Sequence, residues 1–400
     1  MKVSLVSCAL AISILLGGMQ LVAQSMDYYV ATTGSDSKGD GSASNPWATI
    51  AHADSIAQPG WTVHVAPGTY TGNLDTTHSG SASLRITFIS DTKWGAVLKP
   101  SSSSDHWNNG GSYVTIQDFE FDGTGSDSSD AIAAWPLNGQ HDQWVIGNKL
   151  HDYAGNCNHT GDAVITTTGG GVSNAVIEGN LIYHNNCGRA GSTPNSSGMH
   201  GIYSAGSGDT IQNNIVVDQG GGWCIHSWHQ ASNTILANNT VANCGQGGFL
   251  IGNDGSGSPS MDDYTSVINN ISVDNVGPSY GFTEEGNTGS HNFYSNNLAY
   301  GNATGNFYLQ NGLTASSTQT GSDSTTFVNY TGAGSGDYHL KAGSTAIDNG
   351  TNSCASGVSN CAPTTDFDEN SRPVNGLWDI GAHEYEGSVS PPTGLTAVIK

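Results

Sequence analysis

Basic residues are scarce in this chain. Its 400 residues include 10 lysines and arginines against 33 aspartates and glutamates, which gives a formal net charge of −23 at pH 7. Nucleic acids and anionic membranes are bound through basic surfaces, so this charge balance argues against both as partners. The negative net charge also repels acidic polysaccharides. A polyuronate substrate would therefore need local arginine, histidine or a bound cation beside it.

Long apolar runs are confined to the beginning of the sequence. Lys2 precedes an apolar stretch from Val3 to Leu16, and small residues before Gln24 offer a cleavage site, which together predict a signal peptide over residues 1–23. The stretch is shorter than the roughly 20 residues of a membrane-spanning helix. We therefore expect a secreted or cell-surface monomer without membrane insertion. The segments predicted after the signal peptide are a solenoid domain (24–336), a C-terminal closing segment (337–387) and a linker-like tail (388–400).

The seven cysteines show no CxxC motif and no Cys/His zinc spacing. Cys8 belongs to the signal peptide, which leaves six cysteines in an oxidising compartment where pairing is expected. The expected pairs are Cys157 with Cys187, one coil apart, and Cys354 with Cys361, which closes a small loop. The pairing of Cys224 and Cys244 stays open, because Cys224 lies in an apolar strand where a buried thiol is the commoner outcome.

Helical periodicity is missing from the middle of the chain, where asparagine recurs instead. Short β-branched segments run into an asparagine and then into further apolar residues at Asn148, Asn180, Asn214, Asn239, Asn270 and Asn297, with spacings of 32, 34, 25, 31 and 27 residues. Repeats of about 20–50 residues are typical of solenoids, and the short strands exclude a helical one. The pattern predicts an all-β, right-handed single-stranded parallel β-helix. Asparagines at one corner would hydrogen-bond from coil to coil.

One strand of each predicted coil carries most of the polar and aromatic candidates. We align these strands on a central apolar residue: Ile132, Val164, Ile202, Ile225, Leu250 and Phe282. Side chains alternate between the two faces, and stacked strands lie about 4.8 Å apart, so neighbouring columns form one patch. Tyr203 and His226 then share an outward column on adjacent coils.

Candidate site residues follow from this patch. We expect His226 or His200 to act as a base and Tyr203 as an acid. Substrate contacts are expected from Arg189, Trp228, His229, Trp135, Asn253, Asp254 and Glu285, although core packing is the better interpretation for Trp135 alone. Asp130 and Asp162 could hold Ca²⁺ beside a substrate carboxylate, or could form turns, since two carboxylates supply few of the about six to eight oxygens that Ca²⁺ takes. No organic cofactor is expected.

The N-terminal segment carries a family resemblance. It reads YYVATTGSD (28–36), NPWATI (45–50) and PGWTVHVAPGTY (59–70), a pattern that predicts a strand, a loop, a short helix over Thr49–Ala57 and a second strand. The helix would cover the open edge of the first coil. Over about residues 27–72 the chain resembles secreted β-helix proteins related to the pectate and chondroitin lyases, which implies calcium and a lysine base. The central coils depart from that pattern, because Lys149 is their only lysine.

The C-terminal segment carries a second resemblance. It reads DYHL (337–340), STAID (344–348), DFD (366–368) and DIGAHEY (379–385). This pattern resembles the segment that closes many bacterial extracellular β-helices. The resemblance implies a terminal cap and a secreted or surface location, and it carries no reaction.

Three functions remain open from the sequence. The favoured one is a polysaccharide lyase that cleaves a uronic-acid-containing glycan by β-elimination. The second is a glycoside hydrolase with paired carboxylates, such as Asp130 with Asp162, or two of Glu284, Glu285 and Asp254. The third is a noncatalytic glycan-binding or surface-structural β-helix, in which the polar patch is incidental. The sequence does not name the glycan, the linkage or the mode of cleavage.

Overall fold

Three long parallel sheets make up most of the structure. The computed structural model describes residues 26–128, 130–134, 140–157, 163–167, 174–188, 198–355 and 360–387. Each coil contributes one strand to sheet I, then one to sheet II, then one to sheet III, and every pairing between coils is parallel in the described residues of these sheets. The molecule is a right-handed parallel β-helix, as the sequence predicts.

The strands are short and regularly placed. Sheet I contains β1 (Met26–Val30), β2 (Trp61–Val65), β5 (Ile86–Ser90), β8 (Val114–Gln117), β11 (Trp144–Ile146), β14 (Val176–Glu178), β17 (Thr210–Gln212), β20 (Ile235–Ala237), β23 (Ser266–Ile268) and β26 (Phe293–Ser295). Sheet II contains β3 (Gly68–Thr71), β6 (Ala96–Lys99), β9 (Glu120–Asp122), β12 (Lys149–His151), β15 (Leu181–Asn185), β18 (Ile215–Gln219), β21 (Thr240–Ala242), β24 (Ile271–Val273) and β27 (Leu298–Tyr300). Sheet III contains β4 (Leu74–Thr76), β7 (Trp107–Asn109), β10 (Ile132–Ala134), β13 (Ala163–Thr167), β16 (His200–Ser204), β19 (Trp223–Ser227), β22 (Gly247–Asn253), β25 (Phe282–Gly286) and β28 (Phe307–Tyr308).

The asparagine ladder is present at the corner between sheets I and II. Asn214 donates its backbone N–H and its side-chain amide to Oδ1 of Asn239 at 3.0 Å, and Asn239 does the same to Asn270. The same bonds join all six predicted asparagines, each fully buried. The repeat predicted from sequence spacing is therefore confirmed.

Helix α1 (Ile50–Ile56) covers the first coil. The Thr49 side chain caps it by accepting a hydrogen bond from the N–H of His52 at 3.1 Å, and its buried face carries Ile50 and Ala53. The helical cap predicted over Thr49–Ala57 is confirmed, with Thr49 and Ala57 as the capping residues.

Three disulfides join the chain: Cys157–Cys187, Cys224–Cys244 and Cys354–Cys361. The first and third confirm the expected pairs. The second shows that Cys224 and Cys244, whose pairing the sequence left open, are bonded to each other. It joins β19 to the segment after β21 inside the core, where both cysteines are fully buried.

The C-terminal segment runs along the side of the solenoid. It comprises the predicted closing segment (337–387), which contains β30 (Asp337–Leu340), and the preceding α2 (Asp323–Thr326) and β29 (Phe327–Asn329), which pairs antiparallel with β30. Its apolar side chains, including Phe327, Leu340 and Ile380, pack on outward residues of sheet II such as Ile271. The resemblance implied a cap over the end of the stack, whereas the segment lies against the outer face of sheet II, whose outward residues are apolar.

The predicted strand alignment needs two one-residue corrections. Ile165 pairs with Ile132 and Ile202, and Phe249 pairs with Ile225 and Phe282, so these residues occupy the column predicted for Val164 and Leu250. Strands β13 and β22 are buried along their whole length, so their sequences lack the alternation that would have fixed the register.

Candidate active site

Two neighbouring strands of sheet III bring the predicted catalytic residues together. Tyr203 on β16 is the register partner of His226 on β19, and their rings stack with centroids 4.6 Å apart and an angle of 11°. His200 lies edge-on to Tyr203 at 5.4 Å. The shared column predicted for Tyr203 and His226 is therefore confirmed.

Backbone geometry fixes the tautomers of the two inner histidines. The backbone N–H of Trp223 donates to Nδ1 of His200 at 2.9 Å, so that nitrogen carries no proton. The proton of a neutral His200 is then on Nε2, which lies 2.9 Å from Nδ1 of His226 and donates to it. His226 in turn carries its own proton on Nε2.

Gly222 makes this arrangement possible. A Cβ at this position would collide with Nδ1 of His200, as well as with backbone oxygens of Gly198 and Met199. The glycine before Trp223 therefore lets His200 approach the backbone closely enough to accept its hydrogen bond.

The Nε2 atom of His226 is a buried donor without a hydrogen-bond partner in the described residues. Burial lowers the pKa of His226 well below its usual value, and His200 and His229 lower it further. His226 is therefore neutral at pH 7. A nitrogen that already carries a proton cannot accept one, so the basic role predicted for His226 does not fit this tautomer.

His229 has the opposite arrangement. Its Nδ1 lies 2.5 Å from a carboxylate oxygen of Asp254, and hydrogen bonds from Ser256 and His229 lower the pKa of Asp254 to about 2. The ionised carboxylate can only accept, so His229 donates from Nδ1 and keeps a free lone pair on Nε2 when neutral. The His229 side chain is 45% exposed. Its ring centroid lies 5.8 Å from that of Tyr203.

Trp228 extends the site along the stack. Its ring lies over the backbone of the next coil, where a Cβ on Gly252 would come within 2.5 Å of the ring. Its centroid is 6.0 Å from that of His226. A half-buried indole beside the histidines provides a face on which a sugar ring can stack.

Several other residues that were predicted to contact substrate or metal do not form part of this histidine cluster in the described structure. Asn253 is fully buried, and its amide donates to the carbonyls of Ala231 and Pro259, so it shapes the loop and makes no substrate surface. Glu285 is exposed on β25, two coils beyond Trp228, and is the register partner of Gly252. Trp135, Asp162 and Arg189 lie outside the described residues.

Asp130 does not fit the calcium site predicted for it. Its side chain is fully buried, so a cation held there could not reach the carboxylate of a polysaccharide. The register also makes Ile165 the partner of Ile132, so the residue two positions before that partner is Ala163 and not the predicted Asp162. No step of the chemistry is therefore assigned to Ca²⁺.

The remaining groups considered from the sequence are also accounted for. Glu284 is fully buried and accepts hydrogen bonds from Asn292, Tyr294 and Gln310, so it cannot act as one of two exposed hydrolase carboxylates. Lys149 lies on sheet II, where its ammonium group is 2.9 Å from Glu120.

Sequence reasoning missed the bonds that orient the site. The Asp254 carboxylate that holds His229 and the Trp223 N–H that sets His200 were not predicted as such. A usable signal was the Gly220–Gly222 run before β19, because consecutive glycines mark places where the backbone approaches other groups closely.

Comparisons with known proteins assign no family to this chain. No family model matches the chain. A stretch of 63 residues, 16% of the chain, is 44% identical to the uncharacterized protein YwoF of Bacillus subtilis (strain 168), and it spans only 13% of that protein. Among solved structures, pectate lyase Pel9A has a TM-score of 0.49 and 16% identity, with 90% of this chain and 96% of that one covered.

Other solved structures give lower scores. An alginate lyase from Paenibacillus sp. str. FPU-7 has a TM-score of 0.41 and 17% identity, with 68% of this chain and 96% of that one covered. A lacto-N-biosidase from Eubacterium ramulus has a TM-score of 0.39 and 14% identity, with coverages of 74% and 67%. Values this low assign no substrate, so the chemistry has to come from the site's own residues. Within the described residues, no helix has the length and apolar character needed to span a membrane.

Proposed function

We propose that the protein is a polysaccharide lyase that cleaves a uronic-acid-containing glycan by β-elimination on the outer face of sheet III. The proposal is based on one observation: the Nε2 atom is protonated in one of two neighbouring imidazoles and unprotonated in the other. His226 offers an N–H at Nε2, and His229 offers a lone pair at Nε2. β-Elimination needs both a proton donor for the substrate carboxylate and a base for the adjacent carbon.

The base is His229. It removes the proton from the carbon next to the substrate carboxylate, and the electrons of that C–H bond move into the carboxylate as an enolate-like charge. Asp254, held ionised, then stabilises the imidazolium and keeps the ring oriented. The sequence-based assignment of the base to His226 or His200 is thereby replaced.

His226 stabilises the charge that develops on the carboxylate. Its ring orientation is fixed by His200, and its Nε2–H is unpartnered in the described residues. Because that atom is buried, we propose that the substrate displaces a neighbouring side chain before its carboxylate accepts the hydrogen bond. As the double bond forms, the glycosidic C–O bond breaks, and Tyr203 gives its phenolic proton to the departing oxygen. Arg189 is proposed as the cation that offsets the substrate's negative charge against the acidic protein.

The test is incubation with a panel of neutral and uronic polysaccharides, followed both by ultraviolet absorbance of unsaturated uronate ends and by reducing ends. A lyase produces both signals on a uronic substrate. Reducing ends without absorbance would contradict the lyase and favour a hydrolase. Binding without either signal would favour the noncatalytic glycan-binding solenoid.

A further inference from the structure

A second cluster of histidine and carboxylate groups lies far along the chain from the catalytic patch, where the C-terminal segment packs on sheet II. Its members come from three separate pieces: His339 on β30, Asp368 in the turn at 366–368, and His383 near the end of the segment. Their ligand atoms all lie within 4.8 Å of one another. The mechanism proposed above uses none of them.

The donor atoms converge on one oxygen. Nε2 of His339 is 2.8 Å and Nδ1 of His383 is 3.0 Å from Oδ2 of Asp368. The two imidazole rings stack with centroids 3.8 Å apart. Ligand atoms placed about 2.0–2.2 Å from a tetrahedral ion lie about 3.3–3.6 Å apart, so shifts of a few tenths of an ångström would admit an ion among these three atoms.

His383 supplies a separate observation. Its side chain is 4% exposed, and its Nδ1 lacks an aligned hydrogen-bond partner in the described residues, although Asp368 lies close to it. This buried ring nitrogen therefore lies beside the Asp368 carboxylate in a poorly aligned contact. Buried polar atoms are rarely left this way, and an ion between the three groups would satisfy it.

The surrounding residues match those of a metal centre. Asp337 lies 2.6 Å from Nδ1 of His339, which leaves the Nε2 of that ring facing Asp368 and His383. A carboxylate behind a ligating histidine is the usual outer partner at such sites. A cavity of about 220 Å³, lined in part by Leu181, Phe367 and the three ligands, leaves room for a water molecule in the fourth position.

We propose that His339, Asp368 and His383 bind one Zn²⁺ ion that fastens the three pieces of the C-terminal segment together. Two imidazoles and one carboxylate form a donor set that suits zinc, and Ca²⁺ would require mainly oxygen ligands. The cluster of Asp122, His151 and Asp152 on sheet II carries no such proposal. There Lys99 lies 2.6 Å from Asp122, and the Glu120 that holds His151 also binds Lys149 at 2.9 Å.

The experiment measures zinc bound to the purified full chain after chelator treatment, reloading with ZnCl₂ and dialysis. The wild type should retain one equivalent more than His339→Gln and than Asp368→Asn, with circular dichroism checking that each variant is folded. His291→Gln is the matched control. The His291 side chain is 51% exposed and bonded to Asp263 at 2.7 Å, against 52% and 2.6 Å to Asp337 for His339. This control should bind as much zinc as the wild type.

Zinc should also raise the Tm of the wild type by about 2–4 °C and leave that of His339→Gln unchanged, because only a folded site binds the ion. A wild-type chain that retains no zinc and gains no stability from it would overturn the proposal, whatever the variants do. Equal zinc in the wild type and in folded His339→Gln would overturn it as well, because the ion would then be bound elsewhere.

Discussion

His200 donates a hydrogen bond from Nε2 to Nδ1 of His226, 2.9 Å away, while its own Nδ1 accepts from the backbone of Trp223. These two bonds give His226 a single tautomer, in which Nε2 carries the proton. The backbone N–H of Trp223, which does not titrate, thus determines the tautomer of His226 through His200.

The first prediction tests this tautomer. His226→Ala should lower kcat by about 10²–10³-fold, because a preorganised donor to the developing charge is lost. His226→Gln keeps an N–H donor and should retain clearly more activity than the alanine variant. Steady-state kinetics on the preferred polysaccharide decides the matter. Equal loss in both variants would favour His226 as the base.

The second prediction concerns the base. His229→Ala should lower kcat by about 10²-fold or more. Asp254→Asn should lower it by about tenfold or more, because an amide can donate to Nδ1 and favour the wrong tautomer. His291→Ala, which alters a similarly exposed histidine bonded to Asp263, serves as the control and should leave kcat unchanged. Near-normal turnover of His229→Ala would remove His229 from the mechanism.

The third prediction concerns substrate charge. Arg189→Ala should raise KM by about tenfold on a uronic polysaccharide, because one of only 10 basic residues is lost from an acidic chain. Trp228→Ala should raise KM with little change in kcat, since stacking on a sugar ring holds substrate and transition state alike. An Arg189→Ala enzyme with unchanged KM at low salt would exclude that residue as the counter-ion.

The fourth prediction concerns stability and pH. Burial lowers the pKa of His106 to about 4, whereas an unfolded chain has a histidine pKa near 6.5. Below pH 6.5 the unfolded state takes up a proton that the folded state does not. The stabilisation due to neutral His106 is therefore complete above pH 6.5, and about 3 kcal/mol of it is lost by pH 4.

Urea unfolding at several pH values checks this expectation. The difference in unfolding free energy between the wild type and His106→Gln should change by about 1.4 kcal/mol per pH unit between pH 6.5 and 4, and should be flat above pH 7. The comparison cancels the contributions of other titrating groups. A difference that does not vary with pH would show that His106 titrates normally.

The fifth prediction concerns the ladder. Asn239→Ala should lower the free energy of unfolding by about 3 kcal/mol or more, because the buried backbone N–H of Asn214 and the carbonyl of Ile211 lose their bonds to the Asn239 side chain, and Asn270 Oδ1 loses one of its two donors. Asn287→Ala is the control. It removes an exposed amide bonded to Ser260 and should cost under about 1 kcal/mol. Similar losses in the two variants would mean that the ladder contributes little.

Sequence reasoning went furthest where one residue type had to recur. The ladder asparagines are recognisable because each must serve the coils above and below, which fixes both its identity and its spacing. The register of β13 and β22 was less accessible, because strands buried on both faces show no alternation. The Tyr203–His226 pair was predictable from the repeat. The His229–Asp254 pair was not, because His229 sits in a left-handed turn after β19 that no repeat dictates.

Four of the ladder asparagines follow another asparagine, and the two members of each pair face different partners. The first residue adopts a left-handed conformation and donates its side-chain amide to the C-terminal segment: Asn213 to Thr365, Asn238 to Asp379, Asn269 to Thr351 and Asn296 to Asn349. A solenoid held only by neighbouring coils can fray and refold one repeat at a time. Here the C-terminal segment bonds to four successive coils, and the bonded residues are 53 to 152 positions apart in the sequence. These four coils should therefore unfold as one cooperative unit. Because the C-terminal segment is synthesised last, the middle coils should reach their final stability only after the ribosome has released that segment.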